Sequence, residues 1–433
     1  MPFESSAHAA KRIAVIGAGI SGMGAAHLLG DAHRVTLIEA GPKLGGHART
    51  VIAGANGDQP VDTGFIVFNY ANYPHLASLF DRLDVPVAKS NMSFGASIRG
   101  GKVEYGLASM NAVFAQRRNA LDPRYLRMLR DITKFNATGL KVARANPDLS
   151  IGAFLDLLGT GRWFRDYYLT PFSGAIWSTP KDAMLEFPAH AMMQFFENHA
   201  LLNYSGQHQW YTVKGGSVQY VSRLEAAMRK QGVDIRVNAP VEVVTRSQGA
   251  VQIKLQGGAW EMFDEVVFAT HSDDSLRLLG DASQTEARAL SKIAYQPNSA
   301  ILHADASVMP RRKLCWSSWN YTEAAQKQSD QIDLTYWMNS LQPIPANDPM
   351  FVTLNCDRPI REELIYDETT FRHPVYDLAA LDGQREVAAM NGDNGTWFCG
   401  AWMKNGFHED GLASAVDVVD GMRARAPLAV AAE

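Results

Sequence analysis

The sequence predicts an α/β fold, a parallel sheet clasped by helices, with an α+β region interleaved between its pieces. Three observations carry the prediction. The β-branched run Ile13 to Ile16 leads straight into a glycine-rich turn, small and apolar residues recur at helical spacing from Ile20 to Leu29, and a second run, Val35 to Ile38, closes on Glu39. Strand, turn, helix, strand is the unit from which parallel sheets are wound.

With 35 glycines in 433 residues, a lone GxGxxG would be a common accident, and the flanking elements give this one its meaning. Gly17 permits the tight turn, Gly19 lets backbone approach a pyrophosphate, and Gly22 lets the helix pack on the strand. The N–H groups of Ile20 and Ser21 at the helix start face the anion. Glu39, about 20 residues past the first glycine, is placed to accept hydrogen bonds from ribose hydroxyls, and it repels a 2'-phosphate, which disfavours NADP.

The residues after Glu39 separate FAD from NAD. Glu39-Ala40-Gly-Pro-Lys-Leu-Gly45-Gly46-His47-Ala-Arg49-Thr50, followed by Val61-Asp-Thr-Gly64-Phe65, resembles the extended fingerprint of the flavin amine oxidase superfamily, which includes monoamine oxidases, protoporphyrinogen oxidases and phytoene desaturases. The resemblance implies a Rossmann-like FAD-binding domain of the GR2 type. It also implies that the glycine pair and the residues after it return beneath the cofactor's diphosphate and ribityl chain. One departure is His47, where the family usually has Arg or Lys; Arg49 is a candidate for the missing charge.

Later segments repeat the resemblance in the right order. Lys214-Gly-Gly-Ser-Val-Gln219 is similar to the family's glycine-containing lead into a helix, here Val221 to Lys230. The stretch from Val233 to Val244 alternates as strands, and Val241 matches the valine whose backbone meets the adenine. Phe263 to Thr270 reads as the return strand. Trp397-Phe-Cys-Gly400-Ala-Trp402-Met-Lys-Asn405-Gly-Phe-His408-Glu-Asp-Gly411-Leu412 resembles the C-terminal segment lying along the isoalloxazine. There the resemblance implies a helix start beneath the pyrimidine carbonyl, where its positive end stabilises charge on the reduced ring. Ala401 and Trp402 replace the usual acidic residue after the first glycine. The matches run from residue 12 to about 420. They are nearest to bacterial FAD-binding proteins associated with cyclopropane-, methyl-branched- or furan-fatty-acid formation.

Bulk properties fit a large enzyme. The length suggests two or three domains, and the net charge of -4 argues against general nucleic-acid binding. The first dozen residues lack an apolar signal core, and no run of about 18 apolar residues is present. Cys315, Cys356 and Cys399 are too few and too scattered for a metal cluster or a disulfide framework. A cytoplasmic location is therefore expected, and no metal. Cys399 reads as a packed hydrophobe rather than a nucleophile. Some relatives attach flavin to a cysteine ahead of the last helix, but the stretch 367–374 has none. Noncovalent FAD is expected, with His373 as an alternative attachment point.

An FAD domain is expected from 1–85, 211–275 and 390–425, a substrate domain from 86–210 and 276–389, and a tail over 426–433. Within 163–211 stand Trp163, Phe164, Tyr167, Tyr168, Phe172, Trp177, Phe187, Phe195, Phe196, Tyr204, Trp210 and Tyr211, with Met184, Met192 and Met193. These either line an elongated apolar pocket or fill a helical core. Trp316, Trp319, Tyr321, Tyr336 and Trp337 alternate like strands and suit a floor facing the flavin. Residues 111–144 carry Arg117, Arg118, Arg124, Arg127, Arg130, Lys134, Lys141 and Arg144 against Asp122 and Asp131. Amphipathic helices there suit either solvent or peripheral contact with anionic lipid.

His408, Trp402 and Asn405 fall in the segment expected nearest the ring and are the candidate catalytic residues. His408 is an acid/base candidate because imidazole titrates near neutrality; alternatively, His408 and Glu409 satisfy backbone groups at the helix start. Gly159-Thr-Gly161 lacks a third glycine and a preceding strand, so no second dinucleotide site is expected. The leading expectation is a dehydrogenase or desaturase of an unsaturated or methyl-branched fatty acyl chain, an apolar lipid substrate. The alternatives are an amine oxidase, which Phe407 in place of a usual Tyr disfavours, a redox-neutral fatty acid isomerase, and a flavin-bound lipid-binding partner.

Overall fold

A computed structural model describes residues 10–177, 179–203, 206–247, 249–326 and 331–425. Tyr204 and the expected tail over 426–433 lie outside the described residues.

The buried β-branched runs do form a parallel sheet. Its order is Asp234–Arg236, Arg34–Ile38, Arg12–Ile16, Glu265–Phe268, Thr396–Phe398, with every pair parallel. Ile13 aligns with Val35 on one side and Glu265 on the other. Strands covered on both faces need apolar residues at successive positions, and Ile13, Ala14, Val15 and Ile16 are all buried. The helix Ile20–Leu29 has its expected bounds and packs on the final helix His408–Arg425. Gly24 permits the approach, since a Cβ there would sit 2.5 Å from Leu412 Cδ1.

An antiparallel sheet, Val241–Ser247, Ala250–Leu255 and Trp260–Phe263, branches from the parallel one. The expected return strand is thus split, with Phe263 ending a hairpin and Glu265–Phe268 entering the parallel sheet. Beside two small antiparallel sheets, Thr50–Ala53 with Gln59–Asp62 and, in order, Val67–Phe68, Trp210–Val213, Val87–Ser90, stands a seven-stranded sheet in the order Ile365–Val375, Ala294–His303, Phe351–Leu354, Leu334–Trp337, Trp319–Thr322, Phe94–Ile98, Val103–Gly106. Only the Trp319–Thr322 and Phe94–Ile98 pair is parallel. Helices between 110 and 198 cover this sheet, and most of the aromatic residues of 163–211 fill the core beneath them, including Phe164, Tyr168, Trp177, Phe187, Phe195 and Phe196.

One buried carboxylate fastens these parts. Asp62 accepts from Thr50 Oγ1 at 2.6 Å, from the N–H and the hydroxyl of Ser217 at 2.8 Å each, and from Gln342 Nε2 at 2.8 Å. Burial pushes its carboxyl up to about 6 against the pull of those four donors.

Candidate active site

Ligands bind an open α/β sheet outside the carboxyl ends of its strands, and the first strand ends there at Gly17. That residue adopts φ +96°, a left-handed conformation that favours glycine, and its N–H donates to Ile38 O at 2.8 Å. A Cβ on Gly22 would overlap the Gly17 carbonyl oxygen, so the helix can reach the strand only through glycine. Gly19 differs, since a Cβ there would meet nothing within 4 Å. It is the N-cap of Ile20–Leu29 and no side chain caps the helix. The helix therefore offers free N–H groups, at Ile20 and Ser21, into open space.

The following segment closes around this opening. Gly45 bridges to Gly19 and donates to Ala18 O at 2.8 Å. Gly46 lies so close that a Cβ on it would sit 3.0 Å from Gly19 Cα. Glu39 stands at the end of its strand, accepting from Ala18 N–H at 2.7 Å and Gly41 N–H at 2.8 Å, with Ala40 exposed beside it. These two bonds hold the carboxylate at the rim of the turn.

His47 introduces a feature its sequence neighbours did not announce. Its ring stacks on Phe371 at 4.9 Å and stands 5.7 Å from His373 and 5.9 Å from His271. Burial, aided by the charges of His373 and His271, pushes it down to about 3, and burial takes His373 to about 4. His47 Nε2 is buried and has no hydrogen-bond partner among the described residues. A buried polar atom without a partner costs free energy unless a ligand satisfies it. His373 Nδ1 already meets Asn298 Nδ2 at 2.8 Å, and His271 stacks on Tyr295 at 4.3 Å. Arg372 bridges Asp273 and Asp274 beside them. Only spatial proximity unites residues 47, 271 and 373.

The open Gly19, the uncapped helix and the orphaned His47 nitrogen together fit a dinucleotide whose diphosphate rests on the turn. Residues 20–349 match the family described as flavin containing amine oxidoreductase. The chain belongs to that family. It is an FAD-dependent oxidoreductase, and the Rossmann-like sheet is the family's α/β cofactor fold. Solved structures agree on the fold. A CLA-producing fatty acid isomerase from P. acnes is 17% identical with a TM-score of 0.68, covering 95% of this chain and 98% of that one. A putrescine oxidase bound to putrescine is 15% identical with a TM-score of 0.68, covering 96% and 99%. Cyclohexylamine oxidase from Brevibacterium oxydans IH-35A is 14% identical with a TM-score of 0.64, covering 96% and 100%. No curated protein matches the chain.

The remaining candidate residues of this oxidoreductase take distinct places. Arg49 forms a two-pronged pair with Asp367 at 2.6 and 2.9 Å, so its charge is neutralised within the protein. Thr50 spends its hydroxyl on Asp62 and on Val218 N–H. Gly64 is needed because a Cβ would overlap His47 O. Phe65 donates its N–H to that same oxygen at 2.9 Å, and its ring lies flat on His408 at 3.9 Å. Val241 is buried at the start of the hairpin sheet. Gly400 donates to Ser414 Oγ at 2.9 Å, while Gly411 and Leu412 lock the last helix against Ile20, Ser21 and Gly24.

His408 Nε2 meets Tyr220 Oη at 2.6 Å, and burial pushes its imidazole down to about 3. A neutral ring between Phe65 and Tyr220 holds the helix start and carries no charge near neutral pH. Glu409 accepts from His75 and Leu76 N–H at 2.9 Å each, capping the helix Pro74–Arg82. Trp402 folds over Gly400 and donates Nε1 to Thr270 O at 3.0 Å, at the strand-end crevice. Asn405 is exposed.

Aromatic side chains of the insertion meet the last segment at Phe407. Phe407 stacks on Phe195 at 4.8 Å, Phe195 on His199 at 3.9 Å, and Trp177 stands 4.9 Å from Phe195 and 4.8 Å from Phe187. Trp177 Nε1 is buried without a partner among the described residues. Sequence reading counted these residues by density alone, because the contacts that join Phe407 to Phe195 span the whole insertion.

Proposed function

We propose that this oxidoreductase is a dehydrogenase or desaturase of an unsaturated or methyl-branched fatty acyl chain, with FAD bound noncovalently. When bound, FAD supplies a hydride acceptor for a substrate C–H bond. The observation that carries the lipid reading is the aromatic cluster of Trp177, Phe187 and Phe195, buried in the helical core, whose edge at the half-buried Phe407 forms an apolar wall beside the last segment. Such a wall binds alkyl chain and excludes water. The unpartnered Trp177 Nε1 adds one donor for a carbonyl or carboxylate within it. His47, His271 and His373, with Glu39 and the turn at Gly17–Gly22, hold the cofactor end. The net change is loss of two hydrogens from the acyl chain, passed to oxygen or another oxidant.

Two other readings have specific support. The P. acnes neighbour is a fatty acid isomerase, which favours a redox-neutral shift of a double bond at the same wall. The family description and the putrescine and cyclohexylamine oxidases favour oxidation of an amine to an imine. Anaerobic mixing with unsaturated fatty acids separates them. Lasting bleaching of flavin absorbance with loss of two substrate hydrogens supports dehydrogenation, product without lasting bleaching makes the protein an isomerase, and bleaching by amines alone makes it an amine oxidase. Acid precipitation should leave the yellow colour in the supernatant; colour in the pellet would overturn noncovalent binding.

A further inference from the structure

The helix Pro123–Ala145 is about 35 Å long and buries one side only, through Tyr125, Met128, Ile132, Phe135, Gly139 and Ala143. Its exposed side carries Arg124, Arg127, Arg130, Lys134, Lys141 and Arg144, with no acidic residue among them. Asp131, the acid within the helix, is buried, accepts from Gly161 N–H at 2.8 Å and lies 3.8 Å from Arg127 and 3.7 Å from Arg130, while Asp122 at the helix cap pairs with Arg124 at 2.8 Å. The six cations against these two acids still leave a net excess of positive charge on this face, in a chain of net charge -4. Apolar side chains protrude beside it: Leu121 is 86% exposed, Met110 70% and Leu126 44%.

We infer that this face docks on an anionic lipid bilayer. Cations alone would suit a nucleic acid as well, but protruding Leu and Met side chains cost free energy in water and recover it by insertion below head groups. The helix is amphipathic in the reverse sense to a membrane anchor, since its apolar stripe is used by the core. Binding must therefore come from the positive side, with Met110, Leu121 and Leu126 as shallow pegs. Docking of this kind is reversible and weakened by salt, because the field of exposed charges falls off within a Debye length. The inference is independent of the redox reading, since it concerns a surface remote in sequence from the glycine turn.

The test is vesicle flotation with the full FAD-loaded chain, using phosphatidylcholine with and without phosphatidylglycerol, at low and high salt. Binding is expected to the anionic vesicles only and to be lost at high salt. The variant carrying Arg130→Gln, Lys141→Glu and Arg144→Glu should bind at least tenfold more weakly, since each cation near the surface contributes roughly fivefold; glutamine at 130 avoids setting a second carboxylate against the buried Asp131. Its flavin spectrum and melting should match the parent protein. Leu121→Asp, a change at a side chain in open solvent, should also weaken binding and provides the decision if the triple variant fails to fold. Equal binding to neutral vesicles, no binding at all, undiminished binding by the variants, or tighter binding to single-stranded RNA than to vesicles would overturn the inference.

Discussion

Gly19→Ala should separate folding from cofactor binding. Gly19 has φ -73° and ψ -175°, extended backbone that alanine adopts freely, and its Cβ would meet nothing within 4 Å. The protein without cofactor should therefore fold, stabilised by about 0.4–1 kcal/mol through the less flexible unfolded chain. That gain corresponds to at most a few degrees in melting temperature. The methyl group would instead occupy space that the diphosphate needs. Losing two hydrogen bonds from helix N–H groups to a charged acceptor, at about 1.5 kcal/mol each, gives about 3 kcal/mol, or roughly a hundredfold rise in Kd. Quenching of flavin fluorescence measures the affinity, and a thermal melt of the cofactor-free protein measures the fold. Gly22→Ala, whose Cβ overlaps the Gly17 carbonyl, should damage both. Unchanged FAD affinity in Gly19→Ala with a normal melt would refute the assignment of the opening to the diphosphate.

Asp62→Ala leaves the Ser217 N–H and the Gln342 amide without their acceptor, a loss of about 3 kcal/mol or more, visible as a lower urea midpoint; an unshifted midpoint would contradict the clamp. His47 and His373 are held down at about 3 and about 4, so the unfolded chain binds more protons than the folded one below about pH 6.5. The stability these two neutral rings contribute is fully present above that pH and is lost as pH falls, by up to about 1.4 kcal/mol per pH unit for each ring. Asp62, raised to about 6, acts with the opposite sign between about pH 4 and 6. The telling quantity is thus the difference between His47→Gln and the parent protein, and equal acid slopes in the two would dismiss the histidine cluster as a source of acid lability. Trp402→Phe removes the bond to Thr270 O, worth about 1 kcal/mol, and should shift the bound flavin's visible bands; an unaltered spectrum would place Trp402 away from the ring.

What the sequence made legible was local. Ile13 to Gly22 is one strand, one turn and one helix, and each residue's conformational need is met within a few positions, so the helix Ile20–Leu29 appears with its expected bounds. The family resemblance then extended that reading across the later strands. Illegible were meetings between distant segments: Asp62 with Gln342, His47 with His271 and His373, and Phe407 with Phe195. Arg49 shows the limit well. Its charge was readable in the sequence, but its partner Asp367 lies 318 positions away and cancels it. His408 is legible as an imidazole, but the burial that lowers its titration to about 3 is not.

The carboxylate of Asp62 also constrains how the molecule is born. Its acceptors are satisfied only when Ser217 and then Gln342 arrive, and the fifth strand of the parallel sheet, Thr396–Phe398, comes later still. At ribosomal rates of about 5–20 residues per second, the amino-terminal third waits tens of seconds for its last partners. During synthesis the nucleotide turn is therefore exposed as a half-built sheet edge, a stage at which chaperones would have most to protect, and any fragment ending before residue 342 should be a target for proteases.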